Sequence, residues 1–199
     1  MRLIAHRINT VYELLDLPED CPVEFDLRDS AGEILVTHDP FSTGPLFSEF
    51  AAHLKNRFCI VNIKSEGIEW RALEVLKMNG IEDFFLLDCS IPMIHKLTQK
   101  GERRIAIRFS EYEPLENILP WLGKVKWVWM DCFTKLLANK KDMEFLKLCN
   151  VNVCLVSPEL QGRPDDIHTY IQTLLKQGLT VDAVCTKVHN FSKWSALLL

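Results

Sequence analysis

The chain has 199 residues, 48% of them hydrophobic and 25% charged, which is enough for one sizeable core and too short for two of ordinary size. Its formal net charge is −4 and its lysines and arginines are scattered, so it carries no basic footprint for nucleic acid. No apolar run approaches the roughly 18 residues of a membrane span. We therefore expect one globular domain over residues 1–199, with no nucleic-acid partner and no membrane span.

Strand-like and helix-like segments alternate along the whole sequence. Each interval between strand-like runs contains a stretch of helical character, and Gly80 and Gly178 follow two of these stretches at positions typical of helix C-termini. Repeated β/α units predict an α/β fold, a compact (β/α)8 TIM barrel, and the alternative is an open doubly wound sheet. The eight predicted strands are short apolar, β-branched or aromatic runs at residues 2–6, 22–27, 58–64, 84–88, 104–109, 125–130, 151–157 and 180–186.

The first predicted strand ends in His6 and Arg7, and a second histidine follows a hairpin. A turn signal at residues 29–33, in which Gly32 can take a positive φ, leads into an extended segment that ends at His38. An unperturbed imidazole titrates near neutral pH, so His6 and His38 are candidates for general acid and base. The alternative for each is an ordinary hydrogen-bonded structural histidine.

Two carboxylates lie on the second predicted strand. Glu24 and Asp26 are two residues apart, so their side chains share one face, which in a barrel is the interior. A divalent cation would relieve their repulsion, and oxygen ligands favour Mg²⁺ or Ca²⁺ over zinc. The alternative is a set of structural ion pairs with Arg7, Arg28 and Lys64. In the first interpretation Arg7 and Lys64 hold a phosphate group, the arginine as a fork and the lysine as a point charge.

Polar residues continue to follow the later strands. Asp131 and Glu159 are additional candidates for the site, although a surface or ion-pair role is the commoner one for such residues. The tryptophans at 127 and 129 alternate on a strand and are expected to pack rather than to stack on a ligand.

The seven cysteines lie mostly in or beside apolar runs, without the CxxC or Cys/His spacing of a zinc site. They are expected to be small core residues in a reducing compartment. The N-terminus shows no secretory pattern, because Met1-Arg2 leads directly into a short strand. The sequence therefore predicts a cytoplasmic protein, and it makes no prediction of oligomeric state.

The chain resembles the glycerophosphodiester phosphodiesterases, in the superfamily of phospholipase-C-like phosphodiesterases built on a TIM barrel. The resemblance lies in His6-Arg7, Glu24-Phe25-Asp26, the turn and strand from Asp29 to Val36, His38-Asp39-Pro40 and, more weakly, Asn62-Ile63-Lys64. It implies metal-dependent hydrolysis of a small phosphodiester and a role in lipid metabolism. It further implies that the histidines at 6 and 38 are acid and base, that the carboxylates at 24 and 26 bind Mg²⁺ or Ca²⁺, and that Arg7 and Lys64 contact the phosphate.

The sequence departs from this family at three places. Ile8 replaces the glycine that usually follows His-Arg, and the loop that normally carries a Pro-Glu-Asn-Thr motif is reduced to Ile8-Asn9-Thr10. Asn62 replaces a metal-binding glutamate, which lowers the negative charge facing a cation. The Asn62 amide oxygen, Asp131 or Glu66 are the candidates for a third ligand. A catalytically silent barrel that binds a phosphorylated metabolite or a partner protein, and a lyase that forms a cyclic phosphate, are the alternative functions.

Overall fold

The computed structural model describes residues 1–197, in which strands and helices alternate. The strands are β1 Arg2–Ala5, β2 Val23–Ser30, β3 Glu33–Val36, β4 Cys59–Ile63, β5 Phe84–Leu87, β6 Ala106–Phe109, β7 Trp127–Met130, β8 Asn152–Val156 and β9 Ala183–Thr186. The α-helices are α1 Val11–Leu15, α2 Phe47–Ala51, α3 Glu69–Met78, α4 Ile91–Gln99, α5 Lys140–Leu148, α6 Asp166–Gln177 and α7 Phe191–Trp194. The predicted strands are all present, with bounds shifted by a few residues. The remaining strand, β3, is the second arm of the predicted hairpin.

Local signals in the sequence account for where the helices begin and end. Thr10 and Glu13 form a reciprocal capping box at the start of α1. The Ser90 side chain accepts a hydrogen bond from the Met93 N–H at the start of α4. At the other end of a helix, Gly178 follows α6 with φ 63°, the left-handed conformation that glycine adopts without strain. The predicted helix stop at Gly178 is confirmed.

The interval between β6 and β7 differs from the others. It contains two 3₁₀ turns, Leu115–Asn117 and Leu119–Trp121, where an α-helix would be expected in a regular β/α unit. Pro120 has no N–H to donate and its ring clashes with a preceding helical carbonyl, so an α-helix cannot run through this segment.

The chain divides into two compact units by the density of its internal contacts. In the first unit, Ala5–Lys100, β5, β4 and β2 are neighbouring parallel strands, Ala5 pairs with Val23, and β3 pairs antiparallel with β2. In the second unit, Met1–Ile4 with the chain from Gly101 onward, β6, β7, β8 and β9 are parallel in that order. The prediction of a single domain over residues 1–199 stays a prediction.

Apolar side chains from the strands and helices fill the interior of each unit. Phe25 packs against Phe47 and Phe50 in the first unit, with ring centroids 5.6 Å and 5.2 Å away. In the second unit Trp127 and Trp129 are buried, as expected of packing residues. Six of the seven cysteines are buried as well, and Cys149 is partly exposed, so the prediction of core cysteines is confirmed for those six. No helix within residues 1–197 is long and apolar enough to cross a membrane.

Candidate functional site

The centre of the candidate site is a pair of buried carboxylates on β2. Glu24 and Asp26 are each only 1% exposed, and Asp26 lies in register with Asn62 of the neighbouring strand β4. Because residues in register on parallel strands point to the same face, both carboxylates and the Asn62 amide lie on one face of the sheet. The predicted common face of Glu24 and Asp26 is confirmed.

Glu24 is held on both carboxylate oxygens. Oε1 accepts a hydrogen bond of 2.9 Å from Asn62 Nδ2, and Oε2 accepts one of 2.7 Å from the backbone N–H of Arg7. His6 Nε2 lies 3.8 Å from Oε2. Burial, reinforced by the charge of Asp26, raises the pKa of Glu24 to about 7, although the bonds from Asn62 and Arg7 and the charge of Lys64 act in the opposite direction. The Glu24 carboxyl therefore keeps its proton to a higher pH than an ordinary glutamate does, because its pKa is raised.

Asp26 is fixed chiefly by Asn9. Asn9 Nδ2 donates to Asp26 Oδ2 at 2.9 Å, and the Asp26 backbone N–H donates to Asn9 Oδ1 at 2.9 Å. Two cations lie slightly farther away, with Arg7 Nε 3.9 Å from Oδ2 and Lys64 Nζ 3.6 Å from Oδ1. Oδ1 is buried and accepts no hydrogen bond from the part of the chain that the structure describes.

Arg7 joins the two carboxylates. Its backbone N–H binds Glu24 while its guanidinium approaches Asp26, and the side chain remains 43% exposed. Its φ is 58°, a left-handed conformation that is uncommon for residues other than glycine and that is often found at active sites. The guanidinium is thus placed between a buried carboxylate and solvent, where it can reach an anionic ligand.

Lys64 follows β4 and is shared between two carboxylates. Nζ donates to Asp88 Oδ2 at 3.1 Å, in addition to its 3.6 Å approach to Asp26. Asp88 follows β5 with φ 61°, a second left-handed residue at the edge of this site. Asp88 therefore orients the ammonium group.

His38 lies in a bend just after β3. The β2–β3 hairpin brings this bend back alongside β2. The Ala31-Gly32 turn reverses the chain between the paired residues Ser30 and Glu33, and Thr37 N–H donates to the Asp26 carbonyl at 3.0 Å. The hairpin predicted at residues 29–33 is confirmed, and it brings the segment that carries His38 back to Asp26.

A carboxylate and a guanidinium hold the His38 side chain and backbone. Asp39 Oδ1 is 2.7 Å from Nδ1, which favours a proton on that nitrogen and leaves Nε2 as the acceptor nitrogen of the ring. The hydrogen bond with the His38 imidazole lowers the pKa of the Asp39 carboxyl, and the charges of Arg7 and Arg28 contribute less in the same direction. The Arg28 side chain donates from Nε to the His38 carbonyl at 2.8 Å and from one terminal nitrogen to the Lys64 carbonyl at 3.2 Å.

The chemistry of these donors fits a hard cation with a partly aqueous shell. Asn62 Oδ1 is buried without a hydrogen-bond partner, so it is an acceptor available beside Glu24 and Asp26. Within residues 1–197, no three His, Cys, Asp or Glu side chains form a metal-binding group. A cation here would be held by two carboxylates, one amide oxygen and water, which suits Mg²⁺ or Ca²⁺.

The other candidate carboxylates have different surroundings. Asp131 belongs to the second unit, where it binds Arg108 at 2.7 Å and accepts a bond of 2.6 Å from Gln161 Nε2. Glu159, also in the second unit, accepts hydrogen bonds from the Ser157 and Thr186 hydroxyls and from the Lys187 N–H. Glu66 is in the first unit and accepts a bond of 2.7 Å from Ser90 Oγ. Each carboxylate therefore already has hydrogen-bonding partners of its own.

Three residues of the site were not assigned a part in it from the sequence. From the sequence, Asn9 is only part of a shortened loop, Arg28 is only a candidate counter-ion, and Asp88 only follows a predicted strand. A short amide two residues after Arg7 is a usable signal for Asn9, since such a side chain can pair with both a carboxylate and a backbone N–H. Asp88 binds Lys64, 24 residues away, and Arg28 binds the carbonyls of His38 and Lys64, 10 and 36 residues away, so no local pattern indicates these partners.

Comparison with known proteins identifies the fold. The sequence matches no profile of a protein family, and no curated protein matches it. Two solved structures from Agrobacterium tumefaciens are similar. One is described as a putative glycerophosphoryl diester phosphodiesterase, with a TM-score of 0.70 and 13% identity over 98% of this chain and 96% of that one. The other is described as a glycerophosphodiester phosphodiesterase, with a TM-score of 0.69 and 14% identity over 93% of this chain and 96% of that one. The predicted (β/α)8 TIM-barrel fold is confirmed.

Proposed function

We propose that the protein is a metal-dependent phosphodiesterase that hydrolyses a small phosphodiester of the glycerophosphodiester class. The observation that carries the proposal is the buried pair Glu24 and Asp26, surrounded by His6, Arg7 and Lys64. A protein seldom buries two carboxylates side by side without a compensating cation or ligand. The names of the two similar solved structures support the choice of phosphodiesters as substrates.

The basic residues bind the phosphate in this proposal. Arg7 presents a half-exposed guanidinium, which can bind two phosphate oxygens at once, and Lys64 adds a point charge whose position is set by Asp88. Both cations are held before substrate arrives, so they stabilise the charge that develops on the phosphate during displacement with little rearrangement.

The two histidines exchange protons with the oxygens of the ester. His38 is oriented by Asp39 through Nδ1, so its Nε2 is the nitrogen that takes or gives a proton. His6 Nε2 lies 3.8 Å from Glu24 Oε2, and a charged Glu24 stabilises the protonated form of the imidazole. Hydrolysis needs one base to take the proton of the attacking water and one acid to protonate the leaving alcohol, and these two histidines fill those roles.

Glu24, Asp26 and Asn62 would hold the Mg²⁺ or Ca²⁺. When bound, such a cation supplies positive charge that neutralises phosphate oxygens and the developing negative charge. Binding to Glu24 requires its deprotonated form, so the cation competes with a proton at that carboxylate.

The test is hydrolysis of glycerophosphocholine by purified protein with Mg²⁺ or Ca²⁺. We expect His6→Ala and His38→Ala each to lower turnover by about a hundredfold or more, the usual size of an acid/base contribution, with unchanged circular dichroism. His95→Ala is the matched control, because this histidine is exposed on α4. Unchanged rates in both site variants would refute the assignment.

A second candidate function is suggested by Asn62. Because a neutral amide replaces a carboxylate beside Glu24 and Asp26, cation affinity is reduced, and the barrel could bind a phosphorylated metabolite without cleaving it. The variant Asn62→Asp should distinguish a phosphodiesterase from a protein that only binds a phosphorylated metabolite. A phosphodiesterase should bind Mg²⁺ or Ca²⁺ in calorimetric titration, more tightly in Asn62→Asp than in the native protein. A purely binding protein should retain its phosphate ligand in chelator and cleave nothing with either cation.

A further inference from the structure

We infer that Phe41 is a specificity residue that contacts an alkyl chain of the substrate, so that the phosphodiester taken by this site carries one hydrocarbon chain. The inference rests on the proposed phosphodiesterase function and extends it from the phosphate to one of the groups esterified to it. It is carried by residues 37–45, here called the His38 loop.

Phe41 stands fully in solvent at the tip of the His38 loop. Its relative exposure is 107%, and its neighbours at 39, 40, 42 and 43 are exposed as well. A phenylalanine ring is among the side chains that gain most from burial, and in this position it gains nothing from the fold. The ring is therefore available to an apolar ligand.

The backbone at Phe41 is held in an unfavourable conformation. Its φ is 61°, in the left-handed region, which is uncommon for a bulky residue and easy for glycine or asparagine. Such strain persists where the surrounding chain imposes it, and strained residues are concentrated at ligand clamps and active sites. A glycine here would relieve the strain but would remove the exposed ring.

The His38 loop is fixed at both ends. Thr37 N–H donates to the Asp26 carbonyl at 3.0 Å, and Val36 N–H donates to the Pro45 carbonyl at 2.9 Å. Near its end, Gly44 packs so closely that an added Cβ would lie 2.2 Å from the Val36 carbonyl oxygen. The loop is therefore anchored beside a candidate cation ligand, and it presents Phe41 three residues after His38.

The charges of the loop favour an alkyl chain of the substrate over an anionic lipid surface. Residues 37–45 contain no lysine or arginine, and the exposed Asp39 lies two residues before Phe41. Attachment to anionic membranes depends on basic residues around the apolar contact, and the formal net charge of the chain is −4. A chain that is covalently part of a phosphodiester bound by Arg7 and Lys64 needs no such attraction.

The test compares two phosphodiester probes that differ only in chain length, methylphosphocholine and decylphosphocholine. Each is titrated calorimetrically into the cation-loaded protein below the concentration at which the decyl probe forms micelles. We expect the native protein to bind the decyl probe at least about tenfold more tightly, as burial of several methylenes against an aromatic ring implies. Phe41→Asn, which suits a left-handed backbone, should remove this preference and leave the affinity for the methyl probe unchanged.

Met78→Asn is the matched control, since Met78 is an exposed apolar residue at the end of α3, and it should keep the preference. Equal affinity for the two probes in the native protein, no binding of either, or a preference that Phe41→Asn leaves intact would overturn the inference. So would binding to phosphatidylcholine vesicles that depends on Phe41 without a preference for the monomeric decyl probe. If the preference depends on Phe41 but neither glycerophosphocholine nor the decyl probe is hydrolysed, the proposed reaction fails and the alkyl-chain contact stands.

Discussion

Glu24 and Asp26 lie two residues apart on β2, and their carboxylates have different hydrogen-bonding and charged neighbours. Asp26 faces Asn9, Arg7 and Lys64, whereas Glu24 has one amide and one backbone N–H as its hydrogen-bond donors. Burial, reinforced by the charge of Asp26, raises the pKa of Glu24 to about 7. This raised pKa couples the protonation of Glu24 to the stability of the fold and, in the proposed function, to cation binding.

The raised pKa of Glu24 predicts that Glu24→Gln gains stability relative to the cation-free native protein as pH rises through the range between the unfolded and folded pKa values. A carboxyl that titrates near 4.5 in the unfolded chain and at about 7 in the folded protein keeps its proton longer in the folded state. The native protein therefore loses stability as pH rises through that window, and glutamine does not. In chelator, the free energy of unfolding of Glu24→Gln relative to native protein should increase by roughly 2 kcal/mol between pH 5 and pH 8, as urea titrations would measure.

Glu49→Gln provides the control for that measurement, because Glu49 is exposed on α2. Its stability should follow the native protein across the same pH range. A difference between Glu24→Gln and native protein that is constant with pH would contradict the raised pKa of Glu24.

At the residue scale, the sequence predicted which groups carry charge but only part of their arrangement. Alternation along a strand places Glu24 and Asp26 on one face, and that inference needs no knowledge of other strands. The bond between Asn9 and Asp26 and the bond between Lys64 and Asp88 join residues far apart in the chain. Such contacts depend on strand register and loop conformation, which no local pattern specifies.

The hairpin of β2 and β3 is the element that places His38, and it depends on the close packing of Gly44. We expect Gly44→Ala to displace the His38 loop, because its Cβ would meet the Val36 carbonyl oxygen at 2.2 Å. The variant should lose about 1–3 kcal/mol of stability and much of its turnover, measured by urea unfolding and by glycerophosphocholine hydrolysis. Ser42→Ala, at an exposed position in the same loop, should change neither. A Gly44→Ala variant as stable as the native protein would contradict the dependence of the hairpin on close packing at Gly44.

The segment between α1 and β2 is held by Arg57, which is 3% exposed. Its guanidinium donates to the carbonyls of Cys21 at 3.0 Å and Leu14 at 3.2 Å, and also to those of Leu17 and Pro18. Arg57→Met would leave these carbonyls without their donor, so thermal and urea unfolding should report a loss of about 2–5 kcal/mol.

Arg71→Met is the comparison for Arg57, because the Arg71 side chain is 54% exposed in its contact with Glu33 and exposed pairs contribute little. It should cost less than about 1 kcal/mol. Equal effects of the two substitutions would contradict a structural role for Arg57.

At the scale of the whole molecule, the strand succession was the most predictable feature. Buried parallel strands appear in sequence as short apolar runs, and all eight runs correspond to strands. The 3₁₀ turns between β6 and β7 were not anticipated, although Pro120 marks the segment as a poor α-helix. The fold follows from this periodicity. The sequence predicts the arrangement of site residues only where they lie close together on one strand, as Glu24 and Asp26 do. It does not predict the contacts that loops make.

The most direct test of a metal-dependent phosphodiesterase is a phosphorus NMR time course of glycerophosphocholine with purified protein. With Mg²⁺ or Ca²⁺ present, the phosphodiester signal should decline as a phosphomonoester signal grows, and chelator or His38→Ala should stop the change. A phosphodiester signal that persists with both cations would contradict the account and favour a barrel that only binds its ligand. A cyclic phosphate as the final product would retain the site but contradict hydrolysis.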